Sequence, residues 1–140
     1  MNNDRFRFRA WDKENGKWID PSMFAFVTFE GRLVIRGKAA TWYKIMQCTG
    51  LKDSEGNLIW EGDIIKRFNE INPDYGFDIC QINWNQARCY FELQGQKEYY
   101  GHICGNHAND GRYKVIGNIY ENPELLKNPP PASREDENMV

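Results

Sequence analysis

TGLKDSEGNLIWEGDII, residues 49–65, is the stretch that most strongly predicts the fold of this chain. Within it, residues 53–57 have the composition of a turn, and Leu58–Trp60 is a short apolar step. Glu61-Gly62-Asp63 then turns the chain into a strand rich in isoleucine. Glycine adopts backbone conformations that other residues resist, and aspartate accepts hydrogen bonds from nearby amides. Such a corner is typical of the start of a small five-stranded barrel, and we expect a positive φ at Gly62.

The sequence RFRFRAW, residues 5–11, alternates strictly between outward and inward positions of an extended chain. This alternation predicts a half-buried strand with a basic outer face. The residues expected on that face are Arg5, Arg7, Arg9 and Trp11. Trp11 is also expected to face Trp18 across a hairpin.

Further hairpins and turns predict an all-β chain. In the first half we expect a hairpin from residues 24–29 and 32–35, a helical turn in 36–43 and a strand at 44–48. In the second half we expect strands at 64–68, 77–84, 89–93, 97–100 and 113–120, and a helical turn at 122–126 capped by Asn122. The predicted organisation is β hairpins over residues 1–57, packed on a barrel over 58–126 that ends in the short helical turn. Residues 127–140 are too polar to bury and are expected to form a disordered tail.

The total charge is −2 but is unevenly distributed along the chain. Residues 1–57 carry ten Lys/Arg against seven Asp/Glu, whereas residues 58–140 carry eight against thirteen. This asymmetry indicates either a solvated surface or a surface that steers a partner. The chain has no apolar run long enough for a membrane span, and its start lacks the apolar core of a signal peptide. We therefore expect a cytoplasmic protein with reduced cysteines and no membrane contact.

Three ordered motifs resemble the YopX family of small proteins encoded by bacteriophages and prophages. They lie at Arg7–Asp12, Met46–Ile64 and Val115–Leu125, and the resemblance covers about residues 5–126. The recurring residues of these motifs are Gly50, Asp53, Gly56, Glu61, Gly62, Asp63, Gly117, Asn118 and Pro123. The resemblance implies a largely β protein with an SH3-like barrel in its second half. It implies no cofactor, activity or catalytic residue, because the family has no established function.

His102, Cys104 and His107 are the best candidate for site chemistry in this sequence. Three such ligands in one loop could bind zinc, with a fourth from Cys80, Cys89 or an acid. Their spacing matches no paired zinc knuckle, and cysteine is often buried simply for packing. We therefore expect the three side chains not to converge, and we expect neither a metal nor a Cys–His nucleophile.

Two groups of aromatic residues set among cations suggest binding surfaces. One is the outer face of residues 5–11, and the other consists of Tyr90, Tyr99 and Tyr100 with Arg88 and Lys97. Such sets can stack the bases of single-stranded nucleic acid, although alternation and edge packing also explain them. The favoured hypothesis is a non-enzymatic binding module whose partner is another protein or a second copy. Nucleic-acid binding is the alternative, and we expect the three arginines to pair instead with acids of the second half or of another subunit.

Overall fold

The computed structural model describes residues 3–20, 22, 25–39, 41–68, 76–95 and 99–127. Over these ranges the chain forms twelve strands, two short α-helices and a 3-10 turn at Asp4–Phe6. The strands of the first half are β1 Phe8–Asp12, β2 Lys17–Trp18, β3 Ala25–Val27, β4 Leu33–Ile35, β5 Lys38–Ala39, β6 Tyr43–Lys52 and β7 Leu58–Trp60. The remaining elements are β8 Asp63–Phe68, β9 Phe77–Asn85, β10 Tyr90–Gly95, β11 Tyr99–His102, α1 Gly105–Asn109, β12 Tyr113–Asn118 and α2 Glu124–Lys127. The predicted all-β class is confirmed.

The first sheet has the strand order β2-β1-β6-β7. Trp11 lies opposite Trp18 in the β1–β2 hairpin, and their ring centroids are 4.9 Å apart in an edge-to-face contact. This confirms the predicted tryptophan pair. Strand β6 is longer than predicted and pairs with β1 on one side and β7 on the other. Its register with β7 shifts between Cys48 and Lys52, a bulge that Gly50 accommodates with a φ of 81°.

Strands β3, β4 and β5 form a separate antiparallel sheet. The predicted hairpin is confirmed over β3 and β4, while Phe24 lies outside the described residues. The helical turn predicted in residues 36–43 is wrong, because β5 pairs with β4 there. Arg36 and Gly37 connect the two strands with φ values of 51° and 79°. Two consecutive positive φ angles are the requirement of a type I′ hairpin, and an arginine at the first position is a weak signal for one.

The second half forms a five-stranded antiparallel sheet with the order β11-β10-β9-β8-β12. The sheet curls into a half-barrel. Strand β11 begins at Tyr99, two residues after the predicted start at residue 97. The core of the half-barrel is a cluster of buried residues drawn from the five-stranded sheet, from β7 of the first sheet and from α1. The cluster consists of Ile59, Ile65, Cys80, Ile82, Leu93, Ala108 and Tyr113. Each fully buried aliphatic side chain contributes about 1.5–3 kcal/mol, so the burial of this cluster stabilises the fold substantially.

The C-terminal helical turn forms as α2, which begins at Glu124. The Asn122 side chain, which we predicted to cap the helix, accepts the backbone N–H of Asn118 at 3.3 Å and so holds the end of β12. Gly117 lies directly beneath this segment, since a Cβ there would sit 2.6 Å from Asn122 Oδ1. Residues beyond Lys127 lie outside the described ranges, and the division at residue 57 stays a prediction. In the described part, neither helix has the length and apolar character needed to cross a bilayer.

The corner between β7 and β8 has the backbone geometry that its sequence predicts. Gly62 has a φ of 84°, which confirms the expected positive value. Its N–H donates to the Ile82 carbonyl at 2.8 Å, and its carbonyl accepts the Ile119 N–H at 2.9 Å. An added Cβ would lie 3.0 Å from Met46 Sδ. Both the backbone conformation and the available space therefore favour glycine here.

Gly62→Ala is expected to lower the free energy of unfolding by about 1–3 kcal/mol, because alanine is strained at positive φ and crowds Met46. Gly56→Ala is the matched control: its φ is 83°, but nothing lies within 4 Å of an added Cβ. Urea denaturation of both variants separates the backbone effect from the contact. A Gly62→Ala variant as stable as Gly56→Ala would contradict the contribution of the contact.

Candidate interaction site

The Arg9 side chain is enclosed by two tryptophan rings and one carboxylate. Its guanidinium carbon lies 4.3 Å from the centroid of the Trp18 ring and 4.9 Å from that of Trp60. Its Nη2 donates to Asp63 Oδ1 at 2.5 Å. We name these four residues, Arg9, Trp18, Trp60 and Asp63, the arginine clamp. The clamp joins β1 and β2 to β7 and β8, which are distant in sequence.

Asp63 is the buried end of the clamp, with only 3% of its side chain exposed. Its Oδ2 accepts the Trp60 backbone N–H at 2.8 Å, and its Oδ1 also accepts Asn118 Nδ2 at 3.3 Å. Burial raises the pKa of Asp63, and the attraction of Arg9 and these hydrogen bonds offsets only part of that effect. Arg9 and these hydrogen bonds favour the charged form of Asp63 and so limit the rise in its pKa.

The predicted strand over residues 5–11 is wrong at its N-terminal end. Arg5 lies in the 3-10 turn, and β1 begins only at Phe8. A 3-10 turn has three residues per turn, so the two-residue alternation cannot place Arg5 on the face of Arg9. The three arginines therefore do not form one continuous stripe.

Arg5 and Arg7 lie outside the clamp, although the guanidinium carbon of Arg7 is 5.8 Å from the centroid of the Trp60 ring. The guanidinium of Arg5 stacks over the Phe6 ring at 4.3 Å, and Arg7 forms an exposed pair with Asp4 at 3.7 Å. The prediction that these arginines pair with acids of the second half is thus confirmed for Arg9, which pairs with Asp63. Trp11, predicted on the wet face, is buried and stacks on Tyr120 at 6.0 Å.

The second predicted aromatic group lies on β10 and β11. The Tyr90 ring is 5.7 Å from the His102 ring, and its hydroxyl accepts from Arg88 Nη1 at 3.1 Å. The side chains of Tyr99 and Tyr100 lie outside the described residues, as does Lys97. Sequence reasoning missed the exposed Trp84, which packs edge-on against Phe91 at 5.0 Å.

The side chains of the two candidate histidine ligands each have another aromatic partner. His102 contacts Tyr90, whereas His107 lies in α1 with its Nδ1 3.4 Å from the Tyr113 hydroxyl. The same hydroxyl accepts the Cys104 backbone N–H at 3.2 Å. Within the described ranges, no three His, Cys, Asp or Glu side chains are placed to hold a metal ion.

The motif residue Asp53 is also a buried carboxylate, and its oxygens accept hydrogen bonds from backbone N–H groups. Its Oδ1 accepts the N–H groups of Glu55 and Asn57 at 3.0 and 2.8 Å. Its Oδ2 accepts the Val115 N–H at 3.0 Å, which ties the turn to β12. Glu61, by contrast, accepts the Gln47 N–H through Oε2 at 3.3 Å and so links the corner to β6.

An apolar groove of about 380 Å³ lies between the first sheet and the β3–β4 hairpin. Its lining residues are Phe6, Phe8, Arg9, Ala10, Ile19, Phe26, Val27, Leu33 and Ile45. Three of them remain half-exposed: Phe6 at 54%, Phe8 at 45% and Phe26 at 57%. Sequence reasoning missed this groove, and the only available signal was the density of phenylalanine in residues 6–29.

The model of a family described as YopX protein matches residues 7–127. The chain therefore belongs to the YopX protein family. The crystal structure of protein EF1440 from Enterococcus faecalis is 28% identical, with a TM-score of 0.54 over 86% of this chain and 96% of that one. The structure of the protein yopX from Bacillus subtilis has a TM-score of 0.55 over 90% of this chain and 99% of that one, and at 22% identity it shows the fold alone. No curated protein matches the sequence.

Arg9→Ala is expected to destabilise the protein by about 3 kcal/mol, since it leaves the buried Asp63 carboxylate without its counter-ion. The matched control is Arg7→Ala, which removes an exposed pair and should cost less than about 1 kcal/mol. Thermal and urea unfolding of the two variants measure the difference. Equal losses in the two variants would show that the clamp contributes no more than a surface ion pair.

Asp63 should make the stability depend on pH in the direction opposite to that of most carboxylates. Its pKa is raised on folding, so the native state binds more protons than the unfolded state between pH 3.8 and the folded pKa. Its contribution to stability therefore falls as the pH rises through this window. The stability difference between the wild type and Asp63→Asn should shrink over the same range.

Asp12→Asn is the control for this pH dependence. A hydrogen bond from the Asn15 side chain, with backbone hydrogen bonds from Asn15 and Glu14, lowers the pKa of Asp12 below 3.8. The stability difference between the wild type and Asp12→Asn should therefore grow as the pH rises from below that value. Urea denaturation from pH 2.5 upward measures both trends. The same sign for both variants would contradict our assignment of Asp63.

Proposed function

We propose that this chain is a non-enzymatic binding module, encoded by a bacteriophage or prophage, that contacts another protein in the cytoplasm of the bacterial host. The contact surface in this proposal is the groove between the first sheet and the β3–β4 hairpin. The observation that carries it is the exposure of Phe6, Phe8 and Phe26 around one concave apolar surface. Contiguous exposed apolar patches are uncommon on monomeric proteins and mark sites of protein association.

The groove has the composition of an interface centre. Aromatic side chains supply a large share of binding energy because they bury much area at a small entropic cost. The volume of about 380 Å³ is enough to enclose one or two apolar side chains of a partner. Arg5 and Arg7, next to Phe6 and Phe8 in the chain, place positive charge beside the apolar surface. This arrangement resembles the polar rim around the dry centre of a protein interface.

The two buried cysteines, Cys48 and Cys80, have environments that support a role other than catalysis. Burial raises the pKa of Cys80 to about 12 and also raises that of Cys48. These two thiols therefore stay protonated and are poor nucleophiles at neutral pH. The phage or prophage origin and the cytoplasmic location rest on the family resemblance and on the sequence patterns.

A photo-crosslinking experiment tests the groove. A photoreactive phenylalanine analogue is placed at Phe26, and in a second variant at Trp84, which is 42% exposed but lies outside the groove. Each full-length protein is irradiated in cells of a host that carries the prophage, and crosslinked proteins are identified by mass spectrometry. We expect a crosslink from position 26 and not from position 84, either to a host or phage protein or to a second copy of this chain.

The captured protein is then purified, and its affinity is measured by calorimetry. Phe8→Ser should weaken binding at least about tenfold, as expected for an aromatic residue at an interface centre, whereas Trp84→Ser should not. Equal crosslinking from both positions, or an affinity unchanged by Phe8→Ser, would contradict the proposal.

Fluorescence anisotropy with labelled oligonucleotides tests nucleic-acid binding, the alternative that the sequence left open. Because Arg9 is enclosed in the clamp, Arg5 and Arg7 are the cations of that segment left to contact phosphates. Two contacts give a salt slope of about −1.4 on single strands, which corresponds to weak binding at physiological salt. Micromolar binding that is lost in a folded Arg5/Arg7→Ala variant would favour nucleic acid over a protein partner.

A further inference from the structure

We infer that a second copy of this chain occupies the groove, through the reciprocal insertion of Phe29 from the tip of its β3–β4 hairpin. This inference rests on the proposed function of the groove and identifies its partner. The hairpin that forms one wall of the groove also carries an apolar residue with no packing of its own. Phe29 has a relative exposure of 110%, the highest among the large hydrophobic residues of the described ranges.

The tip holds Phe29 outward in an ordered turn. The Thr28 N–H donates to the Arg32 carbonyl at 2.9 Å, and the Gly31 N–H donates to the Thr28 carbonyl at 2.9 Å. The Arg32 N–H donates to Thr28 Oγ1 at 3.2 Å. Three hydrogen bonds within the five residues 28–32 leave the tip little freedom to fold back onto its own groove. The backbone of the tip is thus held in one conformation, so little backbone entropy is lost when Phe29 binds.

The tip and the groove are complementary in charge as well as in apolar surface. Glu30 follows Phe29 at the tip and is exposed. At the groove, the guanidinium of Arg5 stacks on the ring of Phe6, which lines it. Insertion of Phe29 beside Phe6 and Phe8 would bring Glu30 toward this cation. Opposite charges at the rim of an apolar contact favour one partner and one register.

The geometry favours a closed dimer. A protein that carries both an apolar projection and a matching pocket can form either a closed pair or an open chain of copies. Val27, in the wall of the groove, is only two residues from Phe29, at most about 7 Å along the chain. Because projection and pocket are neighbours, two copies related by a two-fold axis can exchange tips simultaneously. The pair then makes the same contact twice and leaves no projection free.

Sedimentation velocity of the full chain over a concentration series is the first measurement. We expect a dimer that dissociates on dilution, with a dissociation constant in the micromolar range that is typical of small interfaces. Phe29→Asp, at the tip, and Phe8→Asp, in the groove, should each weaken self-association at least about tenfold. Trp84→Asp is the control and should leave it unchanged. Circular dichroism confirms that each variant is folded.

Mixing the two variants tests the reciprocal geometry directly. Phe8→Asp retains a normal tip and Phe29→Asp a normal groove, so an equimolar mixture restores one of the two contacts. The mixture should form a heterodimer at concentrations where each variant alone is monomeric. Similarly, Glu30→Arg and Arg5→Glu should each weaken the dimer, and the double variant should recover it.

Three outcomes would overturn the inference: a wild-type chain that is monomeric at about 1 mM, unchanged association in Phe29→Asp, or no heterodimer in the mixture. These outcomes are distinguishable from failure of the proposed function. Crosslinking from position 26 to a host or phage protein would still support the groove as an interaction site if the chain proves monomeric. A dimer formed through Phe29 without any such crosslink would instead restrict the groove to self-association.

Discussion

The ion pair between Arg9 and Asp63 is the contact on which the rest of the structure depends. A carboxylate as deeply buried as Asp63 is costly unless a counter-ion and hydrogen bonds accompany it. Arg9 supplies the counter-ion from the first sheet, and the Trp60 N–H and Asn118 supply the hydrogen bonds. The Trp18 and Trp60 rings also pack against the guanidinium, with centroids 4.3 and 4.9 Å from its carbon. The clamp therefore sets the position of β1 relative to β8, and with it the wall of the groove that Phe8 and Ala10 provide.

Buried polar contacts connect the remaining elements in the same manner. Asp53 ties the 53–57 turn to β12, and Gly62 exchanges hydrogen bonds with β9 and with the residue after β12. The YopX motif residues thus cluster at junctions between elements rather than around a cleft. Their recurrence is explained by chain geometry: a positive φ at Gly62, close approach at Gly117 and acceptors for amides at both aspartates. The apolar groove lies among residues outside those motifs, apart from Arg9 and its neighbours.

Local patterns in the sequence predicted most of the strands and the turns between them. Turn composition and alternation fix a hairpin within a few residues, so the Trp11–Trp18 pair and the corner at Gly62 followed directly. The predicted start of β1 was wrong because the alternation in RFRF is that of a strand. The Arg7 N–H instead donates to the Asp4 carbonyl, which makes this segment a turn. The β4–β5 hairpin was missed because Arg36 adopts a positive φ that arginine seldom shows.

Contacts between distant segments lay beyond this reasoning. The pairing of Arg9 with an acid of the second half was predicted as a class, but the identity of Asp63 depends on how two sheets meet. The groove likewise forms where β1, β6 and the β3–β4 hairpin approach each other. The pattern within any one of these segments does not predict that the three come together. It also does not predict which phenylalanines remain exposed when they do.

The separation between the clamp residues has a consequence for the protein during its synthesis. Asp63, the counter-ion of Arg9, is translated 54 residues after it. Asn118, which completes the hydrogen bonds to Asp63, follows a further 55 residues along the chain. At roughly 5–20 residues per second, several seconds pass between the appearance of Arg9 and that of its partner at the ribosome. During this interval Arg9 lacks its counter-ion, and Trp11 lacks the Tyr120 ring on which it stacks in the folded protein. The hydrogen-bond network that begins with Arg9, near the start of the chain, is thus completed by Asn118 of β12, the last strand of the described residues to be translated.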